Sequence, residues 1–150
     1  MRKLGWCLFG VLSVIATVHV YWGFGGLWPA QSMEELIHTV IGDPRFERMP
    51  PIWMTLIVAG AIFAAGWIAL ERADIVSVLP RWMVTLGCWV LVAVFGLRGL
   101  SSFLVAWGVL DASPPFTEPF ATLDVWIYGP LCLLIAAGFL GLAFKARFQK

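Results

Sequence analysis

The chain has 150 residues, of which 61% are hydrophobic, 15% aromatic and 13% charged, with a formal net charge of +1. Soluble domains run about 45–50% apolar and about 25% charged, so this composition belongs to the membrane class. The length allows one domain, and a near-zero charge without a basic run excludes a nucleic-acid footprint.

A helix crosses a bilayer with about 20 apolar residues, and four runs meet that length, at about residues 4–24, 52–70, 82–109 and 125–144. The expected fold is therefore an all-α integral membrane protein. It is a single four-transmembrane-helix bundle over residues 1–150.

The first run follows Arg2 and Lys3. It is long and has no Ala-x-Ala site before His19, so it reads as a retained span rather than a cleaved leader. It ends in His19-Val20-Tyr21-Trp22-Gly23-Phe24-Gly25-Gly26-Leu27-Trp28-Pro29. That stretch carries a histidine, a tyrosine and two tryptophans where Leu and Val would suffice for spanning. Its glycines suit release of the chain from the helix.

In the first loop, Ser32-Met33-Glu34-Glu35 fits a capping box, with Ser32 as N-cap and Glu35 at the third helical position. Met33, Leu36, Ile37, Val40 and Ile41 follow at helical spacing, and Gly42 and Pro44 end the run. The spacing predicts a short amphipathic helix from about Met33 to Ile41, on the outer interface or over the bundle mouth. It covers helix ends or serves as a lid.

The second run offers Gly60/Ala64 and Ala61/Ala65, and the fourth Ala137/Gly141, at small-xxx-small spacing. These faces suit close packing within the bundle or a homo-oligomer. The third run contains Arg98, with Ser101 and Ser102 three and four residues on and so on the same helix face. A charge inside a span costs at least about 2.5–3.5 kcal/mol unless it snorkels or is paired. Asp124 is the expected partner, with Glu118 second. The third loop, Asp111 to Phe120, is proline-rich and reads as extended and rigid. Asp124 then opens the fourth span as a helix N-terminal anion. Trp126 and Tyr128 fall in an outer aromatic belt and Trp82 in an inner one.

Seven Lys and Arg residues (Arg2, Lys3, Arg72, Arg81, Lys145, Arg147, Lys150) fall on one side of a four-span chain, against Arg45 and Arg48 on the other. This asymmetry predicts that both termini and the short middle loop lie in the cytoplasm. By helical rise, His19 lies about 22 Å beyond Leu4, and Arg98 about 24 Å beyond Trp82. Both belong to the outer half, near Asp124 and Tyr128.

Arg98 then staples helices, snorkels, or recognises an anion with its planar fork. His19 packs, shuttles a proton, or ligates haem or a metal. A metal site has little support, because His38 is the only other histidine and there is no His-x-x-x-His. Cys7, Cys88 and Cys132 lie far apart in apolar runs, without Cys-x-x-Cys, and read as small packing residues. Ser101, His19 and Asp124 could meet in space, although no Ser-His-Asp order is readable.

His19-x-Tyr21-Trp22-x-x-Gly25-Gly26-x-x-Pro29 resembles a group of small bacterial four-span membrane proteins catalogued only as a domain of unknown function. Phe95-Gly96-Leu97-Arg98-Gly99 continues the likeness. So does Pro119-Phe120-Ala121-Thr122-Leu123-Asp124-x-x-Ile127-Tyr128-x-Pro130-Leu131-Cys132. The resemblance implies a four-helix inner-membrane protein and no reaction or cofactor.

Three functions follow as expectations. The first is binding or transport of a small amphiphile or lipid in an outward-facing pocket lined by His19, Tyr21, Trp22, Arg98, Ser101, Ser102, Asp124 and Tyr128. There Arg98 would hold an anionic or polar head. The second is a membrane-embedded enzyme, with His19 as acid or base and Arg98 stabilising negative charge. The third is a structural subunit. The expected partners are the lipid bilayer and a small amphiphilic ligand, with no nucleic acid.

Overall fold

The computed structural model describes residues 1–113 and 115–145. Pro114 of the third loop, and Arg147 and Lys150 of the basic C-terminus, lie outside the described residues. Among the described residues the chain is helical, with no strand. The elements are α1 (Arg2–Gly23), α2 (Met33–Val40), α3 (Ile52–Arg72), α4 (Arg81–Ala106), α5 (Phe120–Leu123) and α6 (Gly129–Lys145). A π-helical turn, Asp124–Tyr128, joins α5 to α6 without a break.

Four helices are long and apolar enough to cross a membrane, with mean hydropathies of 1.8, 2.0, 1.9 and 2.1. Their outward faces carry large apolar side chains, among them Val14, Ile57, Leu97 and Leu134. Exposed tryptophans sit near both ends of the bundle, Trp53, Trp107 and Trp126 at one and Trp6 and Trp82 at the other. A water-soluble domain rarely shows apolar surface on every side, whereas a bilayer accepts it.

Neighbouring helices run antiparallel. Gly5 of α1 meets Ala69 and Ala73 of α3, Cys88 of α4 donates to the carbonyl of Phe139 of α6 at 3.3 Å, and Gly138 of α6 faces Leu8 of α1. The tightest pairings are α1 with α3 and α4 with α6. The main core joins all four at the end that holds Met1. There Leu8, Leu12, Ala65, Ala69, Cys88, Ile135, Phe139 and Leu142 are buried together. At the opposite end, here the mouth, the two pairs hold separate clusters of polar and aromatic residues.

The small-residue faces read from the sequence only partly match these contacts. A Cβ on Gly60 would meet nothing, and Ala61, Ala64 and Ala137 are exposed, whereas Ala65 is in the core. The close approaches use Gly5, Gly99 and Gly129 instead.

Two glycine turns shape the mouth. Gly25 (φ +86°) ends α1, and the Gly26 amide donates to the Tyr21 carbonyl at 2.9 Å. The Tyr21 ring lies over Gly26, leaving no room for a side chain there. Trp22 Nε1 donates to the carbonyl of Trp28 at 2.7 Å, closing the turn. Gly42 (φ +69°) ends α2, donating to the carbonyl of Ile37 at 3.1 Å, and the Phe120 ring covers it.

The capping box of α2 is present. Ser32 Oγ accepts from the Glu35 amide at 3.1 Å, and Glu35 Oε2 accepts from the Gln31 amide at 2.9 Å. Leu36 and Ile37 are buried, so α2 lies over the mouth and not flat on an outer surface.

Candidate functional site

Arg98 sits two turns before the end of α4. Its guanidinium donates to Asp124 Oδ1 through Nη2 and to Ser102 Oγ through Nη1, the latter at 2.6 Å. Ser101 faces the same way only in part, since its hydroxyl donates to the Arg98 carbonyl at 2.8 Å. The ion pair expected from the sequence is formed, and Glu118 is not in it. Glu118 Oε2 instead accepts from the amide of Thr122 at 3.3 Å, in α5.

Asp124 does not open its helix as an N-terminal anion. Residues Phe120–Leu123 precede it as α5, so the carboxylate is carried one turn inward. There the π turn lets the Gly129 amide bond the Asp124 carbonyl five residues back. Glycine on both sides then brings the helices together. A Cβ on Gly99 would lie 2.8 Å from the Gly129 carbonyl oxygen, and one on Gly129 would lie 2.9 Å from Ser102 Cβ. This approach presses Asp124 against α4, where its side chain is 7% exposed while that of Arg98 is 40% exposed. π turns are a recurrent way of aiming side chains at functional positions.

Beside the pair lies a hollow of about 620 Å³, bordered by Ser102 and Val105 of α4, Asp124 and Trp126 of the π turn, Ala121 of α5, and the loop residues Asp111, Phe116 and Glu118. Three carboxylates thus face a largely apolar lining. Asp124 uses Oδ1 on Arg98.

His19, Tyr21 and Trp22 are elsewhere. His19 Nδ1 lies 2.8 Å from the carbonyl of Ile15, and its ring packs 5.2 Å from that of Trp22. His19 and Trp22 border a second hollow of about 240 Å³, between α1, α3 and the end of α2, with Met49, Met54 and Thr55. Tyr21 belongs to the turn after α1, where its hydroxyl accepts from the Trp28 amide at 3.5 Å. Of the eight residues expected to line one pocket, Ser102 and Asp124 border the first hollow and His19 and Trp22 the second, Tyr21 closes the turn after α1, and Arg98, Ser101 and Tyr128 border neither hollow. His19 hydrogen-bonds within α1, and Ser101 and Asp124 within the α4–α6 pair, so no Ser-His-Asp centre is assembled. The cause is helix pairing: α1 packs on α3 and α4 on α6, so equal depth does not bring His19 to Arg98.

Tyr128 departs from the expected lipid-facing belt. Its hydroxyl donates to the Thr39 carbonyl of α2 at 3.1 Å, and its ring lies 5.7 Å from Phe120. Trp126, by contrast, is 76% exposed and does face outward. A second tie joins α2 to the loop before α5. Thr117 Oγ donates to the Gly42 carbonyl at 3.2 Å and sits 3.0 Å from His38 Nδ1, which must then be the donor. Val40 and Ile41 border the His19 hollow, so α2 straps one helix pair to the other.

The sequence reading missed this strap, the acidic side chains at the first hollow and the methionines at the second. It also missed Glu71. Buried at the Met1 end, Glu71 accepts from the amides of Val78 (3.0 Å) and Leu79 (3.3 Å) and from Trp67 Nε1 (3.2 Å). Among the described residues no group of three His, Cys, Asp or Glu could hold a metal ion. Outside the membrane segments, the Arg45 guanidinium hydrogen-bonded to Asp43 holds that carboxyl below its usual range, and Asp43 in turn raises Arg45.

Residues 12–139 match a protein family described as "Protein of unknown function (DUF3995)". No curated protein and no solved structure matches the chain.

Proposed function

The chain belongs to this family of unknown function, and from its geometry we propose that it is a four-span inner-membrane protein that binds a small amphiphile beside the Arg98–Asp124 pair. The single observation that carries this reading is the composition of the 620 Å³ hollow. A buried carboxylate anchored through one oxygen borders, with Asp111 and Glu118, a space whose other walls include Val105, Ala121, Phe116 and Trp126. Apolar hollows with a few oriented polar groups are how proteins commonly hold amphiphiles.

The polarity of the head differs from the anionic one that Arg98 alone suggests. Its guanidinium is committed to Asp124 and Ser102, and Asp111, Glu118 and Asp124 border the hollow. An anionic head would meet three carboxylates. An amine or hydroxyl would donate to them, with its apolar body against Trp126 and Phe116. The orientation, with both termini cytoplasmic, is supported by the seven-to-two asymmetry of Lys and Arg.

The test uses the full chain in lipid nanodiscs, with its tryptophan fluorescence as readout. Octylamine and octanol should change the emission saturably, and octanoate should not. Ala121→Leu, which narrows the hollow and leaves the ion pair intact, should weaken the response. Equal responses to all three probes, or an unchanged response in Ala121→Leu, would overturn the reading.

A further inference from the structure

The second hollow holds a different chemistry. The carbonyl of Ile15 can only accept a hydrogen bond, so the 2.8 Å contact puts a proton on His19 Nδ1. In the neutral form of the ring this leaves the lone pair on Nε2. A backbone carbonyl holding the other ring nitrogen is the usual support of a metal-binding imidazole. His19 borders the hollow of about 240 Å³ together with two thioethers, Met49 and Met54. Met54 stands in the first turn of α3, and Met49 lies two residues before Pro51, which caps that helix. Three donors from α1, α3 and the preceding loop thus share one small space at the mouth.

We propose that His19, Met49 and Met54 form a binding site for Cu(I). No Asp, Glu, Lys or Arg borders the hollow, so the donor set is neutral. A divalent ion in such apolar surroundings would carry two uncompensated charges, which is prohibitive. A monovalent ion carries one, and thioether sulfur with imidazole nitrogen selects Cu(I) among the biological metals. The indole of Trp22, packed on the His19 ring, adds an aromatic face that attracts a cation. Methionine side chains have three rotatable bonds, so both sulfurs can turn inward without moving the helices. The site takes the ion without any change in its oxidation state.

The full chain purified in detergent is titrated with Cu(I) under ascorbate, in competition with a chromophoric Cu(I) chelator, and separately, without reductant, with Ag(I), a soft monovalent ion of the same ligand preference. One ion per chain is expected, with X-ray absorption showing nitrogen and thioether sulfur neighbours. Met49→Leu and Met54→Leu conserve volume and so keep the fold. Each should weaken binding by at least the roughly 10–100-fold that loss of a group merely supporting a ligand costs. His19→Gln should do the same, with circular dichroism unchanged. Binding that survives the double Met49→Leu/Met54→Leu variant would overturn the proposal. So would binding lost only with Cys7→Ser, Cys88→Ser or Cys132→Ser, or no binding at all by the folded wild-type chain.

Discussion

Tyr128 donates its hydroxyl proton to the main-chain carbonyl of Thr39, joining two positions 89 residues apart at 3.1 Å. That bond ties the short helix α2 to the last membrane segment. Tyr128→Phe keeps the ring against Phe120 and removes the donor. A net loss of about 0.5–1.5 kcal/mol is expected, felt chiefly as opening of α2. Hydrogen exchange in residues 33–40 should accelerate, with α3 and α4 unaffected. Thr117→Val removes the hydroxyl that meets His38 Nδ1 but keeps the Thr117 amide on the Gly42 carbonyl at 2.8 Å, so it weakens the second tie, and the double variant should exchange faster than either single one. Unchanged protection of α2 in the double variant would mean that Leu36, Ile37 and that backbone bond suffice to hold it.

The Arg98–Asp124 pair predicts an asymmetric mutational response. Arg98→Met strands a carboxylate whose side chain is 7% exposed. Breaking such a pair costs on the order of 3 kcal/mol, reduced by whatever water reaches the site. Asp124→Asn leaves an arginine that is 40% exposed and still bonded to Ser102, so screening limits its loss to about 1 kcal/mol. The double variant Arg98→Met/Asp124→Leu should recover part of the loss of Arg98→Met, because no buried charge is left unpaired. Reversible unfolding in mixed micelles reads all three. Equal costs for the two single variants would show that Asp124 reaches water after the pair is broken.

A glycine series separates packing from propensity. A Cβ at Gly99 or Gly129 would meet backbone oxygen at 2.8 or 2.9 Å, and backbone there cannot yield cheaply. Gly99→Ala and Gly129→Ala should each cost about 1–3 kcal/mol by overpacking. Gly138→Ala meets the end of the Leu8 side chain at 2.9 Å, which can rotate aside, so its cost should be smaller. At Gly60 nothing lies within 4 Å, and Gly60→Ala should change stability by no more than about 0.5 kcal/mol. Thermal unfolding of the four variants in one detergent ranks them.

Where local chemistry decides structure, the residues were readable. Ser32 and Glu35 announce α2, and the hydropathy of the four long helices announces themselves. The Arg98–Asp124 pair followed from the cost of an unpaired charge in an apolar helix. What hydropathy cannot carry is which helices pair. The depth count therefore put His19 with Arg98, although α1 packs on α3. The early start of the fourth membrane segment had a signal in Glu118-Pro119. Proline suits a helix start, and the Glu118 carboxylate takes an amide of the first turn. Tyr128 looked like a belt residue because the strap it serves is distant in the chain. Nothing local says that Tyr21 and Trp22 close the turn after α1, or that Trp22 borders a hollow with His19 and away from Arg98.

The loop after α2 should respond to acid. Asp43 accepts from Nε and Nη2 of Arg45, and this bonding holds its carboxyl below the usual range. A depressed folded value means that the clasp contributes fully above the unfolded value of about 4 and is lost as pH falls through the folded one. Limited proteolysis across residues 43–48 should be slow at neutral pH and accelerate only in strong acid. Asp43→Asn should be cut quickly at every pH, with its acid dependence gone. An unchanged acid profile in Asp43→Asn would assign the dependence to another carboxylate.

The charge asymmetry predicts the side to which the hollows open, and that side decides what can reach them. Asp111 and Glu118 border the first hollow from the loop between α4 and α5, which contains no Lys or Arg. The Met1 end carries Arg2, Lys3, Arg72 and Arg81, and such clusters stay on the cytoplasmic side. An impermeant maleimide added to intact cells should therefore label a cysteine placed at Ser113 and should not label Cys7 near the start of α1. A reporter fused after Lys150 should be active only in the cytoplasm. Both results together place the hollows on the outer face, open to external ligands and to outer-leaflet lipid. Labelling of Cys7 without Ser113→Cys would invert the bundle and turn both hollows to the cytoplasm, where a Cu(I) site would draw on the cell's own reduced pool.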